Sequence, residues 1–150
     1  MRVKYEGSFR VEKDPVSVFK YLTDPLRFSK AFPGFQGVEV LGEGEFKIDL
    51  TLKLGPVSGR GNVRGRIVEA REASYVKIRG NSRGAGSSLD YTLEFRITGD
   101  NGGSTVKWRF EGTVVGLAAS MGGRILDNLA RRLINDMASG LRRGIMGESS

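Results

Sequence analysis

The chain has 150 residues, 24 Lys and Arg against 17 Asp and Glu, a formal charge of +7, and neither cysteine nor histidine. Disulfides and thiolate metal sites are thereby excluded, as are Ser-His-Asp and Cys-His chemistry and the usual zinc sites, which need the imidazole or the thiol. The length fits one domain able to bury about 68–70% of its unfolded surface, which we place at residues 1–146 with 147–150 as a disordered tail.

The opening Met1-Arg2-Val3-Lys4-Tyr5 has no apolar signal core. No run approaches the ~18 apolar residues of a spanning helix, so a cytoplasmic location is expected. Residues 2–11 alternate, with Val3, Tyr5, Phe9 and Val11 on one face and Arg2, Lys4, Glu6 and Arg10 on the other, which predicts a strand. Asp14-Pro15 supplies an N-cap followed by proline at the first helical position. Val16, Phe19, Tyr21 and Leu22 then make a short helix that ends at Asp24-Pro25. A second short helix is expected over residues 26–31, before Phe32-Pro33-Gly34 turns the chain.

A meander follows. Phe46, Ile48, Leu50, Leu52 and Leu54 oppose Lys47, Asp49, Thr51 and Lys53, with Gly55-Pro56 as the turn. Val57, Gly59, Gly61, Val63, Gly65 and Ile67 then oppose Arg60, Asn62, Arg64 and Arg66. Three glycines on the inward side predict sheet curvature or the close approach of another element. Residues 75–81 and 89–97 continue the pattern, with Val76 and Ile78, then Leu89, Tyr91, Leu93, Phe95 and Ile97, facing inward. Asp100-Asn101-Gly102-Gly103 is a hairpin signal, and Val106, Trp108, Phe110 and Val114 mark the last strand.

Residues 116–144 read as one amphipathic helix. Leu117, Met121, Ile125, Leu129, Leu133, Met137 and Leu141 recur every fourth residue, and Ala118, Leu126, Ala130, Ile134 and Ala138 widen that row. A helix of roughly 40 Å cannot bury such a face alone. It needs a curved sheet to lie across, and a sheet wrapped round a helix tends to leave a cavity. The expected architecture is α+β: a curved antiparallel sheet of about seven strands, two short helices after the first strand and one long C-terminal helix.

This element order resembles the helix-grip fold of the Bet v 1 and START-like superfamily. Phe32-Pro33-Gly34, the run Lys53-Leu54-Gly55-Pro56-Val57-Ser58-Gly59, and Gly116-Leu117-Ala118 leading into Gly122-Gly123-Arg124-Ile125-Leu126 narrow the match. Together they resemble CoxG, a family of carbon monoxide dehydrogenase subunits, over residues 5–141. The resemblance implies an accessory protein of a CO-dehydrogenase-like molybdenum hydroxylase, one that binds a quinone and links the enzyme to the membrane, peripheral at its inner face. No covalently bound cofactor is implied. Members often carry a C-terminal extension or anchor. Family aromatics near the end of the helix are replaced here by Met137-Ala138-Ser139-Gly140.

Candidate ligand contacts are Phe46, Ile48, Leu50, Leu93, Phe95, Trp108, Phe110, Met121, Ile125 and Leu129. Taken as a group they would line a pocket for a flat apolar molecule; taken singly, each is by default a core residue. Tyr91 points inward among them, where its hydroxyl could bond a ligand carbonyl, serve as an acid as in cyclase-type relatives of the fold, or, the preferred reading, be a satisfied buried group. Phe28, Phe32 and Phe35 surround the Pro33-Gly34 turn as a cavity mouth or as a hydrophobic plug.

Two basic surfaces stand out, one of Arg60, Arg64, Arg66, Lys77 and Arg79 on adjacent strands, the other of Arg124, Arg131, Arg132, Arg142 and Arg143 on the final helix. Either could face anionic lipid or an acidic partner, or be an ordinary solvated face. Nucleic acid is disfavoured, because no aromatics interleave with the outward arginines. Asp49, Asp90, Glu94 and Glu111 fall on outward positions, so no carboxylate pair is set for acid–base work. The reading is a non-catalytic binder of a hydrophobic small molecule. The alternatives are a polyketide cyclase or dehydratase-like enzyme on the same fold, and a ligand-free adaptor using its basic faces.

Overall fold

A computed structural model describes residues 1–54 and 57–147. Its strands are β1 (Arg2–Val11), β2 (Phe35–Gly42), β3 (Glu45–Leu54), β4 (Val57–Arg71), β5 (Tyr75–Gly84), β6 (Ser87–Asp100) and β7 (Gly103–Gly116). They form one antiparallel sheet in the order β1-β7-β6-β5-β4-β3-β2. The helices are α1 (Pro15–Leu22), α2 (Pro25–Phe28), α3 (Leu117–Ser120) and α4 (Gly123–Ile145), with a 3-10 turn at Ser29–Ala31. The expected Gly55-Pro56 turn and residues 148–150 of the tail lie outside the described residues.

Local chemistry explains most boundaries. The Asp14 carboxylate accepts from the Ser17 backbone N–H at 3.1 Å and caps α1, while Asp24 accepts from Leu26 N–H at 3.0 Å and caps α2. Asn101 and Gly102, at φ 41° and 81°, make the β6–β7 hairpin a turn with both central residues left-handed. Across β4 and β5, Gly61 faces Gly84 and Gly65 faces Gly80. A side chain on Gly80 would collide with the Arg64 carbonyl, and one on Gly65 would sit 2.5 Å from the Phe46 ring and 2.7 Å from the Tyr91 hydroxyl. Close approach is therefore the reason for these glycines.

Two expectations need correction. The long terminal helix is interrupted: α3 ends at Ser120, and Gly122 (φ 90°) redirects the chain into α4. A glycine at this angle is free to make the elbow where a Cβ would be strained. The break rotates Leu117 and Ile125 to the outside, where they are 51% and 54% exposed. The second correction concerns β2, a strand that the alternation did not locate. Its pairing with β3 shifts register between Phe35 and Gly37 and again between Val40 and Gly42, so its residues do not hold a steady inward face.

The main core lies between the concave face of the sheet, α1, α2 and the C-terminal half of α4. A smaller cluster of Val114, Ala118 and Leu126, with Val3 and Leu89 against it, closes the α3 end. The C-terminal half of α4 docks closely: a Cβ on Gly140 would lie 2.8 Å from the Ala31 carbonyl oxygen, and one on Gly144 would strike the Tyr21 hydroxyl.

Candidate functional site

Between the concave sheet face and α4 lies a cavity of about 220 Å³. Leu133, Ile134, Met137, Ala138 and Leu141 of α4 form its roof, with Leu22 of α1, Phe28 of α2 and the Phe32-Pro33 loop at one side. Its floor is Phe46, Val63, Ile78, Ser82, Leu89, Tyr91, Leu93, Phe95, Trp108 and Phe110 from the strands. The Tyr91 and Phe110 rings are stacked with centroids 5.9 Å apart, and Phe28 meets Phe46 edge-on at 5.2 Å.

The two hydroxyls in this wall are already engaged. The Tyr91 hydroxyl donates to the Arg64 carbonyl at 2.9 Å, and the Ser82 hydroxyl donates to the Asn62 carbonyl at 2.9 Å. Burial holds the Tyr91 phenol well above its ordinary pKa of 10.0. Among the described residues, no charged side chain lines the cavity. The four carboxylates weighed as acid–base candidates lie elsewhere. Asp49 is 3.9 Å from Lys47, Glu111 is 3.7 Å from Lys4, Glu94 accepts from the Tyr75 hydroxyl, and Asp90 is exposed. Such a chamber can exclude water and hold a planar apolar molecule; among the described residues it holds no group free to move a proton.

Of the expected contacts, Phe46, Tyr91, Leu93, Phe95, Trp108 and Phe110 line this cavity. Ile48 and Leu50 do not; they are 0% and 4% exposed and packed within the core. Met121 and Ile125 are also outside, because the Gly122 elbow turns that part of the apolar row away. Leu129 lines a second cavity instead. At the expected mouth, Phe28 is a buried wall, Phe32 is on the rim with Pro33, and Phe35 is tied into β2 opposite Leu50. The α4 contacts Leu133, Ile134, Met137, Ala138 and Leu141 were visible as an apolar helix face but not as cavity lining.

The second cavity, about 230 Å³, continues beneath the N-terminal half of α4 towards α3. Val3, Tyr5, Leu52, Val114, Ala118, Leu126, Leu129 and Ala130 line it, and it shares Ser82, Leu89, Phe110, Leu133 and Ile134 with the first.

The two basic surfaces differ from one another. On the convex face Arg66 lies directly opposite Arg79, and Arg64 directly opposite Lys47, with Arg60 and Lys77 on the flanking positions. Opposed like charges are destabilising in a sheet; within this group Arg66 contacts Glu45 at 3.4 Å and Lys47 contacts Asp49 at 3.9 Å. On α4, by contrast, Arg131 pairs with Asp127 at 3.0 Å and lies 5.5 Å from the centre of the Tyr5 ring. Arg142 donates to the Arg10 carbonyl, leaving Arg124, Arg132 and Arg143 exposed. No helix among the described residues is long and apolar enough to cross a membrane.

A seven-stranded antiparallel sheet gripping a C-terminal helix over an apolar chamber is the helix-grip fold, the fold of START- and Bet v 1-like proteins. Similar solved structures share that fold. A conserved protein from Geobacillus kaustophilus is 22% identical, with a TM-score of 0.87 over 97% of this chain and 96% of its own. A START superfamily protein from Mycobacterium smegmatis is 12% identical, with a TM-score of 0.72 over 96% of this chain and 97% of its own. The Zhui aromatase/cyclase from Streptomyces sp. R1128 is 15% identical, with a TM-score of 0.66 over 98% of this chain and 93% of its own. No curated protein sequence matches the chain. Residues 7–146 match CoxG, the family of carbon monoxide dehydrogenase subunits bearing that name, and the chain belongs to it.

Proposed function

We propose that this protein binds a flat hydrophobic molecule, a quinone, without transforming it, and serves as an accessory to a CO-dehydrogenase-like molybdenum hydroxylase at the membrane surface. The observation that carries the binding reading is the cavity wall. It is apolar, partly aromatic, and its two hydroxyls are both committed to strand carbonyls. A guest would be held by removal of apolar surface from water, at roughly 25 cal/mol per Å², and would enter by movement of the Phe32-Pro33 rim. The link to a hydroxylase rests on the family description, and the membrane part on the convex arginines.

An enzyme of the cyclase kind needs a polar group free to act on its substrate. Tyr91 is the best placed candidate here, and its hydroxyl already donates to the Arg64 backbone carbonyl. The deciding experiment is mass spectrometry of lipids extracted from the natively purified protein, followed by uptake of added quinones. A recovered quinone, or saturable uptake at one equivalent per chain, is expected. Protein that emerges empty and takes up no quinone would overturn the reading, and turnover of a polyketide substrate would replace it with catalysis.

A further inference from the structure

The two cavities differ in kind. The first is walled by rings, among them Phe28, Phe46, Phe95, Trp108 and the Tyr91–Phe110 stack. The second is mostly aliphatic, with Val3, Leu52, Val114, Leu126 and Leu129 around the small Ala118 and Ala130. Neither, at about 220 and 230 Å³, reaches the roughly 300–1,000 Å³ usual for a small-molecule site. Together they do. They adjoin at a shared set of lining residues, Ser82, Leu89, Phe110, Leu133 and Ile134. Rotamer changes of Leu89, Leu133 and Ile134 would open a passage between the two cavities without displacing a strand.

We propose that the two cavities are one bipartite site, the aromatic chamber for a planar ring and the aliphatic chamber for the hydrocarbon tail attached to it. This rests on the carrier reading and adds the ligand's shape: an elongated amphiphile, its ring beneath the C-terminal half of α4 and its tail running under the N-terminal half towards α3. The outer end of the tail chamber is bordered by Ala118 and Leu126, whose neighbours Leu117 and Ile125 are the exposed apolar residues of the elbow. A tail longer than the chamber emerges there.

The test is a binding series followed by quenching of Trp108, the chain's only tryptophan and part of the ring chamber. The probes are a tail-free benzoquinone and homologues with progressively longer isoprenoid tails. Affinity is expected to rise with tail length, by up to about fourfold for each methylene-sized group buried, and then to level off once the second chamber is full. Ala130→Phe fills that chamber alone. It should leave tail-free quinone binding unchanged and weaken the longest homologue at least tenfold. Ala130→Leu should give the same ordering with a smaller loss, which covers the case in which the larger ring disturbs folding. Ala138→Phe, which intrudes on the ring chamber, should weaken every member equally. Affinity that ignores tail length, or a tail dependence unaltered in both Ala130 variants, overturns the bipartite site while leaving the carrier reading in place. If no member of the series binds, both are overturned.

Discussion

Tyr91 lines the cavity with its hydroxyl already donating to a strand carbonyl. Its position on the inward face of β6 was legible from alternation, but the partner of its hydroxyl was not. The strand carbonyl of Arg64 that accepts its hydrogen bond is 27 residues away, and the absent side chain of Gly65 leaves room for the hydroxyl. Tyr91→Phe should therefore cost about 1 kcal/mol of stability and leave quinone affinity within a factor of two or so, as measured by denaturant unfolding and tryptophan quenching; a loss of binding without a loss of stability would return the hydroxyl to a functional role. The pH dependence has a definite sign. The folded-state value is raised above the unfolded value of 10.0, so the stabilisation is fully present below pH 10 and is lost as the pH rises towards the folded value. Alkaline unfolding above pH 10 should be shallower in the phenylalanine variant, although Tyr5, Tyr21 and Tyr75 are raised as well and supply the rest.

Among the elements, α4 is held unevenly. Gly140 and Gly144 lie one turn apart and bring its C-terminal half against Ala31 and Tyr21. Gly144→Ala places a methyl against the Tyr21 ring and should destabilise the protein by about 1–3 kcal/mol, the usual cost of overpacking. Gly123→Ala, on the same helix with no described neighbour within 4 Å, should cost nothing, since alanine is the better helix former. Thermal melts of the two variants check the difference. The helix itself was clear in the sequence from its four-residue spacing, and β1, β3, β6 and β7 were clear from alternation with ring and branched side chains. The break at Gly122 was hidden because Leu117, Met121 and Ile125 keep the same spacing through it. β2 was hidden because its register shifts at Gly37 and Gly42 spoil any two-residue rhythm. For the same reason the candidate site was half legible: strand positions give direction, but which inward residues border empty space depends on where the helix axis passes, and that is set by Gly122, Gly140 and Gly144.

At the scale of the whole molecule the charge is distributed in two ways. On the β1–β7 half of the convex face, partners alternate in sign, with Lys4 opposite Glu111 and Glu6 opposite Arg109. On the β3–β5 half, Arg64 faces Lys47 and Arg66 faces Arg79, beside the opposite-sign pairs Glu39–Lys47, Glu45–Arg66 and Glu69–Lys77. An arrangement that costs the isolated sheet something is relieved by an anionic surface. We expect the protein to sediment with vesicles rich in anionic lipid at low ionic strength and to be released near 1 M salt, where the screening length is about 3 Å. The double change Arg64→Glu with Arg79→Glu should abolish that binding, whereas Arg131→Glu, at an arginine already engaged with Asp127, should have little effect. Binding that survives the double change would move the contact surface elsewhere.

The irregular pairing of β2 has a consequence beyond hiding it from view. This strand ends the sheet on one side, and its outer row of amides and carbonyls could template another chain. The two offsets, the glycines beside them and the outward Glu39 interrupt that row, so a neighbour cannot zip along it. Resistance to fibril-like stacking is thereby built into the outermost strand rather than left to the charge of the surface.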